Sequence, residues 1–294
     1  MLVSPSTVAE RYRAEIKHEV RALATQLRVV GFLSGDYGPS LTYAQYTKKA
    51  CEDLGIDYEL RTVPRLELEQ AITEANEDNF VHGIMVYYPV FDNEQDRYLK
   101  DIVDYRKDIE GLNSFWIRKL YQNERIVGGA SVAGKAVVPC TSLAILKILE
   151  ANGAYGGSGT RPVEHKTVTI FNRSEVVGRP LAVMMSNDGA RVYSFDEHGP
   201  LLYENGKAVE TSVERSDALR ASDVVITGVP AKTFPKIRAE EISSRAICLN
   251  FATIKNFEPD AEEKAELFIP RVGPVTVAMC MRNALRLYRT YFAH

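Results

Sequence analysis

Apolar runs and amphipathic stretches alternate along the first part of the chain. Three apolar runs that end near glycine or proline predict buried strands: residues 28–35, 58–64 and 81–90. Three stretches with helical spacing of apolar residues lie before or between them: residues 6–27, 41–54 and 66–76. Strands separated by helices of this length are typical of parallel βαβ units. This half of the chain is therefore predicted to form a parallel α/β domain.

A second series follows a predicted helix over residues 142–152. It contains four predicted strands: 165–172, 190–196, 223–230 and 246–252. With a helix over 179–189 between the first two strands, the series is typical of a doubly wound nucleotide-binding sheet.

The last predicted helix runs from Thr276 to about Phe292, outside the second series. Its apolar stripe is made by four residues: Val277, Met281, Leu285 and Tyr288. We expect this helix to pack against the first domain.

The predicted fold class is therefore α/β with two domains, as the length of 294 residues also suggests. The first is a parallel α/β catalytic domain over residues 1–140, completed by residues 275–294. The second is a Rossmann-type domain over residues 141–274. Three segments rich in glycine and polar residues are predicted to be surface loops or small hairpins: 128–135, 154–162 and 199–214.

Composition excludes several classes of protein. A hydrophobic content of 45% with 26% charged residues is that of a soluble globular enzyme. The net charge of −3 predicts neither a nucleic-acid partner nor attraction to an anionic membrane. No run approaches the roughly 18 apolar residues of a membrane-spanning helix. Residues 1–20 interleave charged and apolar positions, so we expect no secretory leader there.

The cysteines and histidines are scattered. Cys51, Cys140, Cys248 and Cys280 form no C-x-x-C pair, and the five histidines do not cluster with them. We therefore expect reduced thiols, a cytoplasmic location and no metal site. Cys140 is expected to be a small buried residue rather than a nucleophile.

The segment FNRSEVVGRP (171–180) follows a predicted strand, where a dinucleotide-binding fold has its phosphate-binding turn. The usual fingerprint has three glycines, whereas here Asn172, Ser174 and Gly178 occupy the comparable places. Asparagine tolerates positive φ, and serine can donate a hydrogen bond at a helix N-terminus. By itself the segment fits a phosphate-binding loop and an ordinary strand-to-helix corner equally well.

Asp196 closes the next predicted strand, where the fingerprint places an acid that binds the ribose 2′-hydroxyl. A carboxylate there repels a 2′-phosphate, which favours NAD over NADP. Its alternative role is a residue of the turn at the strand end. Arg173 favours the opposite preference, since a guanidinium binds phosphate well. Arg173 could equally be solvated or be the salt-bridge partner of Asp196.

Seven strings taken in order carry a resemblance to a known family: TYAQYTKK, GIMVYYPV, KDIEGLN, PCTSLA, NRSEVVGRP, SDVVITGVP and VGPVTVAM. From about residue 6 to residue 290, the chain resembles the methylenetetrahydrofolate dehydrogenase/cyclohydrolase family. Within it, the strings YYPV, KDIEGLN and NFATIKNF and the acid at 196 are most similar to the monofunctional NAD-dependent dehydrogenases of fungi.

The resemblance implies an enzyme of one-carbon metabolism and purine biosynthesis. Family members bind folate in a cleft between two α/β domains and are usually homodimers. They oxidise 5,10-methylenetetrahydrofolate to 5,10-methenyltetrahydrofolate, and the hydride passes to the nicotinamide of the cofactor, here expected to be NAD. Many members also hydrolyse the product to 10-formyltetrahydrofolate.

Three catalytic positions follow from the resemblance. Tyr43 matches a tyrosine that stacks on or orients the folate, although a core aromatic is the alternative. Thr47 stands where bifunctional members have the lysine that drives hydrolysis, and Tyr87 where they have an assisting glutamine. Lys48 and Lys49 point about 140° and 120° away from Tyr43 on a helix, whereas Thr47 is about 40° off. A threonine hydroxyl does not titrate near neutrality, so the hydrolase activity is expected to be lost.

Four further residues are implied to contact the folate. Glu110 would accept the pterin N–H donors, as a carboxylate can; alternatively, it and Asp108 form a solvated loop pair or a helix cap. The other three, Gly273, Pro274 and Thr276, match the G-P-M-T turn of the family, although two glycines that usually precede it are missing.

The resemblance also implies the positions that contact the cofactor. They are Asn172, Arg173, Ser174, Val177, Gly178, Asp196, Thr227, Gly228, Val229 and Asn250.

Hydride loss leaves a cation shared by two folate nitrogens, so this step needs positioning rather than a general base. Three alternatives to a monofunctional dehydrogenase remain. The first is a bifunctional enzyme that uses Lys48, and the second is a catalytically silent nucleotide-binding module. The third, a dehydrogenase of shikimate type, would require a Lys/Asp pair, which we cannot place in the sequence.

Overall fold

The structure is a computed structural model that describes residues 1–35, 38–128, 134–156 and 159–293. It divides into two compact units. The first unit consists of Glu10–Cys140 and Val277–His294, and the second of Met1–Ala9 and Thr141–Thr276. Parts of the predicted loops 128–135 and 154–162 lie outside the described residues, as do residues 36 and 37, which fall between the first predicted strand and the next predicted helix.

The N-terminal segment departs from the predicted division, which assigned residues 1–140 to the first domain. Residues 1–9 belong to the second unit because Leu2 forms a parallel bridge with Phe268. The Val3 N–H also donates to the Phe268 carbonyl oxygen at 2.9 Å. The Met1 ammonium donates to the carbonyl oxygen of Glu266 at 2.7 Å. The segment therefore adds to the second unit through backbone contacts that no hydrophobic periodicity signals.

In the first unit and the residues that lead into it, helices and strands alternate as far as the third strand, and two helices and two short strands follow. The helices are α1 (Ser6–Arg21), α2 (Gly38–Leu54), α3 (Leu68–Glu77), α4 (Glu94–Ile102) and α5 (Ser114–Tyr121). The strands are β1 (Arg28–Leu33), β2 (Asp57–Thr62), β3 (Gly83–Val86), β4 (Ile126–Val127) and β5 (Gly134–Lys135). The first three strands form a parallel sheet, as predicted, and their order is β2-β1-β3.

The core of this unit lies where α3 and α4 cover the sheet. Phe32 and Val30 of β1 pack there with Leu68 and Ile72 of α3 and Leu99 of α4, all of them almost fully buried. Strands that are buried on both faces read as continuous apolar runs, which is why β1 and β3 were predictable. Helices α4 and α5 were not predicted, and β4 pairs with β5 in a separate two-stranded ribbon.

In the second unit, a longer sheet is flanked by helices. Its helices are α6 (Cys140–Ala151), α7 (Gly178–Asn187), α8 (Arg215–Ala221) and α9 (Pro259–Lys264). Its strands are β6 (Thr167–Phe171), β7 (Arg191–Asp196), β8 (Gly199–Glu204), β9 (Lys207–Glu210), β10 (Val224–Thr227), β11 (Ile247–Asn250) and β12 (Leu267–Ile269).

The seven strands of this sheet have the order β12-β11-β10-β6-β7-β8-β9. The five strands from β12 to β7 are parallel, and β8 and β9 extend the sheet as an antiparallel hairpin. The segment predicted as a loop or small hairpin over 199–214 thus contains two strands of the sheet. The order is that of a doubly wound fold. The chain adds β7 on one side of β6 and later adds β10 on the other side, so the strand order reverses between β6 and β10.

The last helix, α10 (Gly273–Tyr291), begins three residues earlier than predicted. The predicted stripe is buried, with Val277, Met281, Leu285 and Tyr288 each no more than 5% exposed. From Val277 onward the helix belongs to the first unit, as expected. There the Asn283 amide donates to the carbonyl oxygen of Ile109 at 3.0 Å. Across the described ranges, no helix combines the length and apolar character needed to cross a membrane.

Candidate active site

Helix α2 places Tyr43 and Thr47 one turn apart on one face. Thr47 is fully buried, and its hydroxyl donates to the Tyr43 carbonyl oxygen at 2.9 Å. Lys48 and Lys49 on the same helix are exposed, which agrees with the angles predicted for them. The Tyr87 ring, just after β3, meets the Tyr43 ring edge-on with centroids 5.9 Å apart. The structure therefore brings the three predicted catalytic residues together in the first unit.

The two phenols of this cluster are neutral near pH 7. Burial raises the pKa of Tyr43 well above its usual value, and the neighbouring Cys280 and Glu110 raise it further. Burial also raises the pKa of Tyr87, although hydrogen bonds with Thr47 and Tyr58 act in the opposite direction. With Thr47 between them, the cluster offers hydroxyl groups that orient a ligand but do not exchange protons near neutrality.

Asp108 organises the loop that carries Glu110. Its two carboxylate oxygens accept four backbone N–H groups, from Glu110, Gly111, Leu112 and Asn113, at 2.7 to 3.0 Å. Asp108 is 4% exposed, and burial raises its pKa to about 6 against the opposing effect of these four N–H groups. Asp108 is therefore neither a solvated loop residue nor the cap of a helix, the alternatives left open by the sequence, but a buried acceptor for the backbone of its loop.

Glu110 is held next to the cluster by the backbone of β3. The Val86 N–H donates to Glu110 Oε2 at 3.0 Å. Burial raises the pKa of Glu110 to about 8, and the Asp108 charge adds to this effect. The carboxyl group is thus largely protonated at neutral pH. A ligand that presents N–H donors would favour its ionised form, which is acceptor-only.

Tyr88 was not predicted to belong to the site. Its hydroxyl is buried without a hydrogen-bond partner among the described residues. Burial raises the pKa of Tyr88 well above the usual value, and the Glu110 charge is the next largest cause. An orphaned hydroxyl close to a carboxyl group is a pair that a polar ligand could satisfy. The only sequence signal was its position beside Tyr87.

The segment Gly273–Thr276 is not a free turn. It forms the first turn of α10 and belongs to the second unit. The Thr276 hydroxyl donates to the Val272 carbonyl oxygen at 3.4 Å, so it is used inside the helix. A Cβ placed on Gly273 would meet no atom within 4 Å, which leaves open space beside Pro274. The predicted contacts of these three residues with folate remain predictions.

In the second unit, the predicted cofactor residues meet at the carboxyl ends of the parallel strands. Register pairs Phe171 of β6 with Phe195 of β7 on one side and with Thr227 of β10 on the other. Thr227 in turn pairs with Asn250 of β11. In doubly wound sheets, the ligand lies at this edge where the strand order reverses.

Asn172 joins the two loops at the reversal. Its side-chain amide donates to the Gly228 carbonyl oxygen at 2.9 Å, while its Oδ1 accepts the N–H and the hydroxyl of Ser174. The Ser174 hydroxyl, predicted to donate to phosphate, is therefore used within the loop. A Cβ on Gly178 would lie 2.0 Å from the Asn172 carbonyl oxygen, so this position requires glycine for the close packing of helix on strand.

The remaining predicted residues form a second hydrogen-bonded group. The Thr227 hydroxyl donates to Asn250 Oδ1 at 3.1 Å. Asn256, which was not predicted, is 1% exposed and pairs with both the N–H and the carbonyl oxygen of Val229. The Val177 carbonyl oxygen accepts the Ser142 hydroxyl at 2.9 Å. These bonds fix the backbone of the loops rather than leaving polar side chains free.

Arg173 and Asp196 form a salt bridge, one of the alternatives that the sequence left open. The guanidinium Nη1 lies 2.7 Å from Asp196 Oδ1, and Nη2 donates to the carbonyl oxygens of Ser194 and Gly199. The Arg173 side chain is 7% exposed, so it is enclosed. Asp196 Oδ1 also accepts the His198 N–H at 2.8 Å.

The surroundings of Arg173 and Asp196 can be compared with what NAD and NADP each require. In the described part of the chain, Asp196 Oδ1 takes both recorded bonds, and the side chain remains 21% exposed. Oδ2 is thus available to accept a ribose 2′-hydroxyl. Arg173 is not available for a 2′-phosphate, because Asp196 and two carbonyl oxygens already engage it. The residues present fit NAD better than NADP.

The side chains that commonly bind metals are dispersed among the described residues. Within the described ranges, no three His, Cys, Asp or Glu side chains lie close enough together to hold a metal ion. The four cysteines are free and buried. The Cys140 thiol contacts the Ile109 carbonyl oxygen at 3.2 Å, and burial raises its pKa, as expected of an unreactive buried thiol.

Two family models match the chain. The catalytic domain of tetrahydrofolate dehydrogenase/cyclohydrolase matches residues 3–110, and the NAD(P)-binding domain of the same family matches residues 139–292. The second match includes most of α10, whose larger part belongs to the first unit.

Known proteins agree with these matches. A methylenetetrahydrofolate dehydrogenase (NAD⁺) of Dictyostelium discoideum is 41% identical over 300 residues, covering 99% of this chain and 95% of the relative. One of Saccharomyces cerevisiae is 42% identical, covering 97% and 94%. The solved structure of the NAD-dependent 5,10-methylenetetrahydrofolate dehydrogenase from S. cerevisiae has a TM-score of 0.90 at 39% identity, covering 98% of this chain and 96% of that one. The matches confirm the resemblance found in the sequence, and the chain belongs to the tetrahydrofolate dehydrogenase/cyclohydrolase family.

Proposed function

We propose that the chain oxidises 5,10-methylenetetrahydrofolate to 5,10-methenyltetrahydrofolate with NAD, and that it does not hydrolyse the product. Two relatives that span almost the whole chain bear the name of this dehydrogenase. The observation that carries the monofunctional assignment is Thr47, a buried hydroxyl bonded to its own helix. In bifunctional members of the family, a lysine is expected at this position.

The preference for NAD is supported by the Arg173–Asp196 salt bridge. A 2′-phosphate would meet the Asp196 charge and would find the Arg173 guanidinium already paired. A ribose 2′-hydroxyl, in contrast, can donate to the remaining carboxylate oxygen. Asp196 therefore acts twice, as an acceptor for the ribose and as the group that keeps Arg173 from binding phosphate.

Substrate binding is assigned to Glu110 together with Tyr43 and Tyr87. The pterin ring of folate presents N–H donors, which an ionised Glu110 can accept. Because the pKa of Glu110 is raised to about 8, binding in this way would release a proton from the protein at neutral pH. The two neutral phenols can orient the folate through ring contacts and hydrogen bonds.

The chemical step requires orientation more than proton transfer. When bound, NAD supplies the nicotinamide ring that accepts the hydride. The chain's own residues hold the methylene carbon in place and tolerate the positive charge that develops on the folate. An ionised Glu110 favours that charge. This step needs no group that gains or loses a proton near pH 7. The hydroxyl groups of Thr47, Tyr43 and Tyr87 do not do so.

Hydrolysis of the product would need a group that activates water, and none is supplied by the Thr47 cluster. Lys48 and Lys49 are the amines nearest in sequence, but both are exposed, whereas Thr47 is buried, and both point away from Tyr43. We also propose that the protein is a homodimer in the cytoplasm, as usual in the family. Sedimentation equilibrium tests the dimer, since a monomer mass would contradict it.

The function is tested with purified protein and three measurements. Turnover of methylenetetrahydrofolate with NAD is expected, with a lower kcat/KM for NADP. Consumption of methenyltetrahydrofolate should stay at the rate without protein, and Lys48→Met should leave it there. Hydrolysis well above that rate would refute the monofunctional assignment. Binding of NAD in calorimetry without turnover would instead support a silent nucleotide-binding module.

A further inference from the structure

Tyr58 and Tyr87 lie at opposite edges of the three-stranded sheet of the first unit, yet their hydroxyl groups meet. Tyr58 belongs to β2, while Tyr87 follows β3, and β1 runs between these two strands. Neighbouring strands are about 4.8 Å apart, so the Tyr58 side chain must pass over β1. The two hydroxyl oxygens are 2.6 Å apart, and both residues are buried, at 7% and 4% exposed. The Tyr58 side chain therefore crosses β1 to meet the Tyr87 side chain.

Gly31 of β1 provides the passage. A Cβ placed on Gly31 would lie 1.9 Å from the Tyr58 hydroxyl oxygen and 2.7 Å from the ring carbon that carries it. Every other residue type would therefore displace the Tyr58 side chain. Glycine weakens a central strand, and it is often found where another group approaches the backbone closely. At Gly31 the approaching group is the Tyr58 phenol.

The Tyr58 hydroxyl bonds to the Tyr87 hydroxyl, which also hydrogen-bonds with Thr47. Among the described residues, Tyr87 is the one recorded hydrogen-bond partner of the Tyr58 hydroxyl. Tyr87 is fixed elsewhere by its backbone, whose N–H donates to the Phe32 carbonyl oxygen at 3.0 Å, and by the edge-on Tyr43 ring. Neither contact fixes the Tyr87 hydroxyl, which hydrogen-bonds with Tyr58 and also with Thr47. The orientation of the Tyr87 hydroxyl thus depends on Tyr58 together with Thr47.

We infer that Tyr58 is a positioning residue for the folate site, which it serves by holding the Tyr87 hydroxyl, and that Gly31 is present to admit it. The inference rests on the proposed function, in which Tyr87 contacts the folate. Tyr58 itself touches no reacting group in this arrangement. Its effect on the reaction should therefore pass through Tyr87 and disappear when the Tyr87 hydroxyl is absent.

A double-mutant cycle tests this dependence. Tyr58→Phe, Tyr87→Phe and the double variant are compared with the unmodified protein by steady-state kinetics with methylenetetrahydrofolate and NAD. Loss of one hydrogen bond predicts a fall of about 2- to 10-fold in kcat/KM for the folate on Tyr58→Phe. The KM for NAD should not change. In the Tyr87→Phe background, adding Tyr58→Phe should change kcat/KM by less than about twofold.

Tyr12→Phe is the matched control. Tyr12 is a buried tyrosine of the same unit, 5% exposed, whose hydroxyl accepts a hydrogen bond from Arg11 at 3.1 Å. It should leave the folate kinetics unchanged, although it also removes a buried hydroxyl. Dissociation constants for tetrahydrofolate, from protein fluorescence, keep the cycle measurable if Tyr87→Phe stops turnover.

Two results would overturn the inference. One is an unchanged kcat/KM and tetrahydrofolate affinity in Tyr58→Phe. The other is an equal loss in both backgrounds, which would mean that Tyr58 acts through general packing. Activity of the unmodified protein is measured first, because its absence would refute the proposed function. If that activity is present, the outcome for Tyr58 concerns the positioning role alone.

Discussion

Replacing Asp196 by serine should change the cofactor preference through two separate effects. The first is the loss of an acceptor for the ribose 2′-hydroxyl. The second is the release of Arg173, which Asp196 holds at 2.7 Å in an enclosed site. Arg173 keeps its bonds to Ser194 and Gly199, but its Nη1 becomes available to a 2′-phosphate, and the carboxylate that would repel this phosphate is gone.

The magnitude follows from the bonds involved. A hydrogen bond to a charged group contributes about 1.5–3 kcal/mol, so kcat/KM for NAD should fall roughly 10- to 150-fold in Asp196→Ser. A new phosphate–guanidinium contact of similar strength should raise kcat/KM for NADP by about tenfold or more. The ratio of the two specificity constants, measured by initial rates with each cofactor, should therefore shift by roughly 100-fold at least.

Stability must be measured alongside, since Arg173 loses its partner while remaining 7% exposed. Leaving one member of a buried pair alone costs about 3 kcal/mol or more, which urea denaturation will detect. Glu197→Ser is the control, because it removes the same charge from the next residue, where the side chain is 86% exposed. It should alter neither the cofactor ratio nor stability appreciably.

Adding Arg173→Ala to Asp196→Ser should remove the gain for NADP. If the double variant kept this gain, relief of repulsion alone would explain the change, and Arg173 would not be the phosphate ligand. An unchanged ratio of specificity constants in Asp196→Ser, or a preference of the unmodified protein for NADP, would refute the role assigned to Asp196.

Three further predictions concern the first unit. In the folded chain the pKa of Glu110 is raised to about 8, from 4.5 for an ordinary glutamate. The folded state therefore keeps a proton that the unfolded state loses between these two values. The free energy of unfolding should fall as pH rises from 4.5 to 8, and this contribution should be lost above pH 8. Thermal melts from pH 6.5 to 9 should show a flatter profile for Glu110→Gln, and an identical slope would contradict the assignment. Asp108→Ala removes the acceptor of four backbone N–H groups and should lower the free energy of unfolding by roughly 3–5 kcal/mol. Asp108→Asn keeps one acceptor oxygen, so its loss should be about half as large. Equal losses for the two variants in urea titrations would argue against the role of Asp108 as that acceptor. Gly31→Ala should lower the free energy of unfolding by about 1–3 kcal/mol, because the added Cβ would clash with Tyr58. Gly31→Ala should cost much less when Tyr58 is already alanine. If the losses of the two single variants simply added in the double variant, the two side chains would not compete for space.

The elements that sequence patterns predicted well are those whose environment is uniform. Strands β1 and β6 are buried on both faces, so they appear as continuous apolar runs. The stripe on α10 is regular because one face packs in the first unit along most of its length. Helix α4, in contrast, has nine residues and mostly polar ones, with Asp96 turned inward to accept the N–H groups of the preceding loop. Such a local polar contact has no periodicity to detect.

Site residues were predictable where a single element carries them. Tyr43 and Thr47 share a helix face, and their spacing fixes their relation. The bond between Arg173 and Asp196 was one alternative among several, because it depends on the register of β6 against β7. The contact of Tyr58 with Tyr87 depends on the order of three strands. A glycine inside the apolar run RVVGFL was its one signal in the sequence.

The path of the chain between the two units restricts how this protein can be divided or recombined. Residues 1–9 complete the second unit and residues 277–294 complete the first, so each unit is built from two separate stretches of sequence. A cut at residue 140 would leave Ile109 without Asn283 and Phe268 without its bridge to Leu2. Neither product would be an autonomous module. Gene fusion or domain exchange that preserves function must therefore transfer both units together, or graft a terminal segment along with the larger piece.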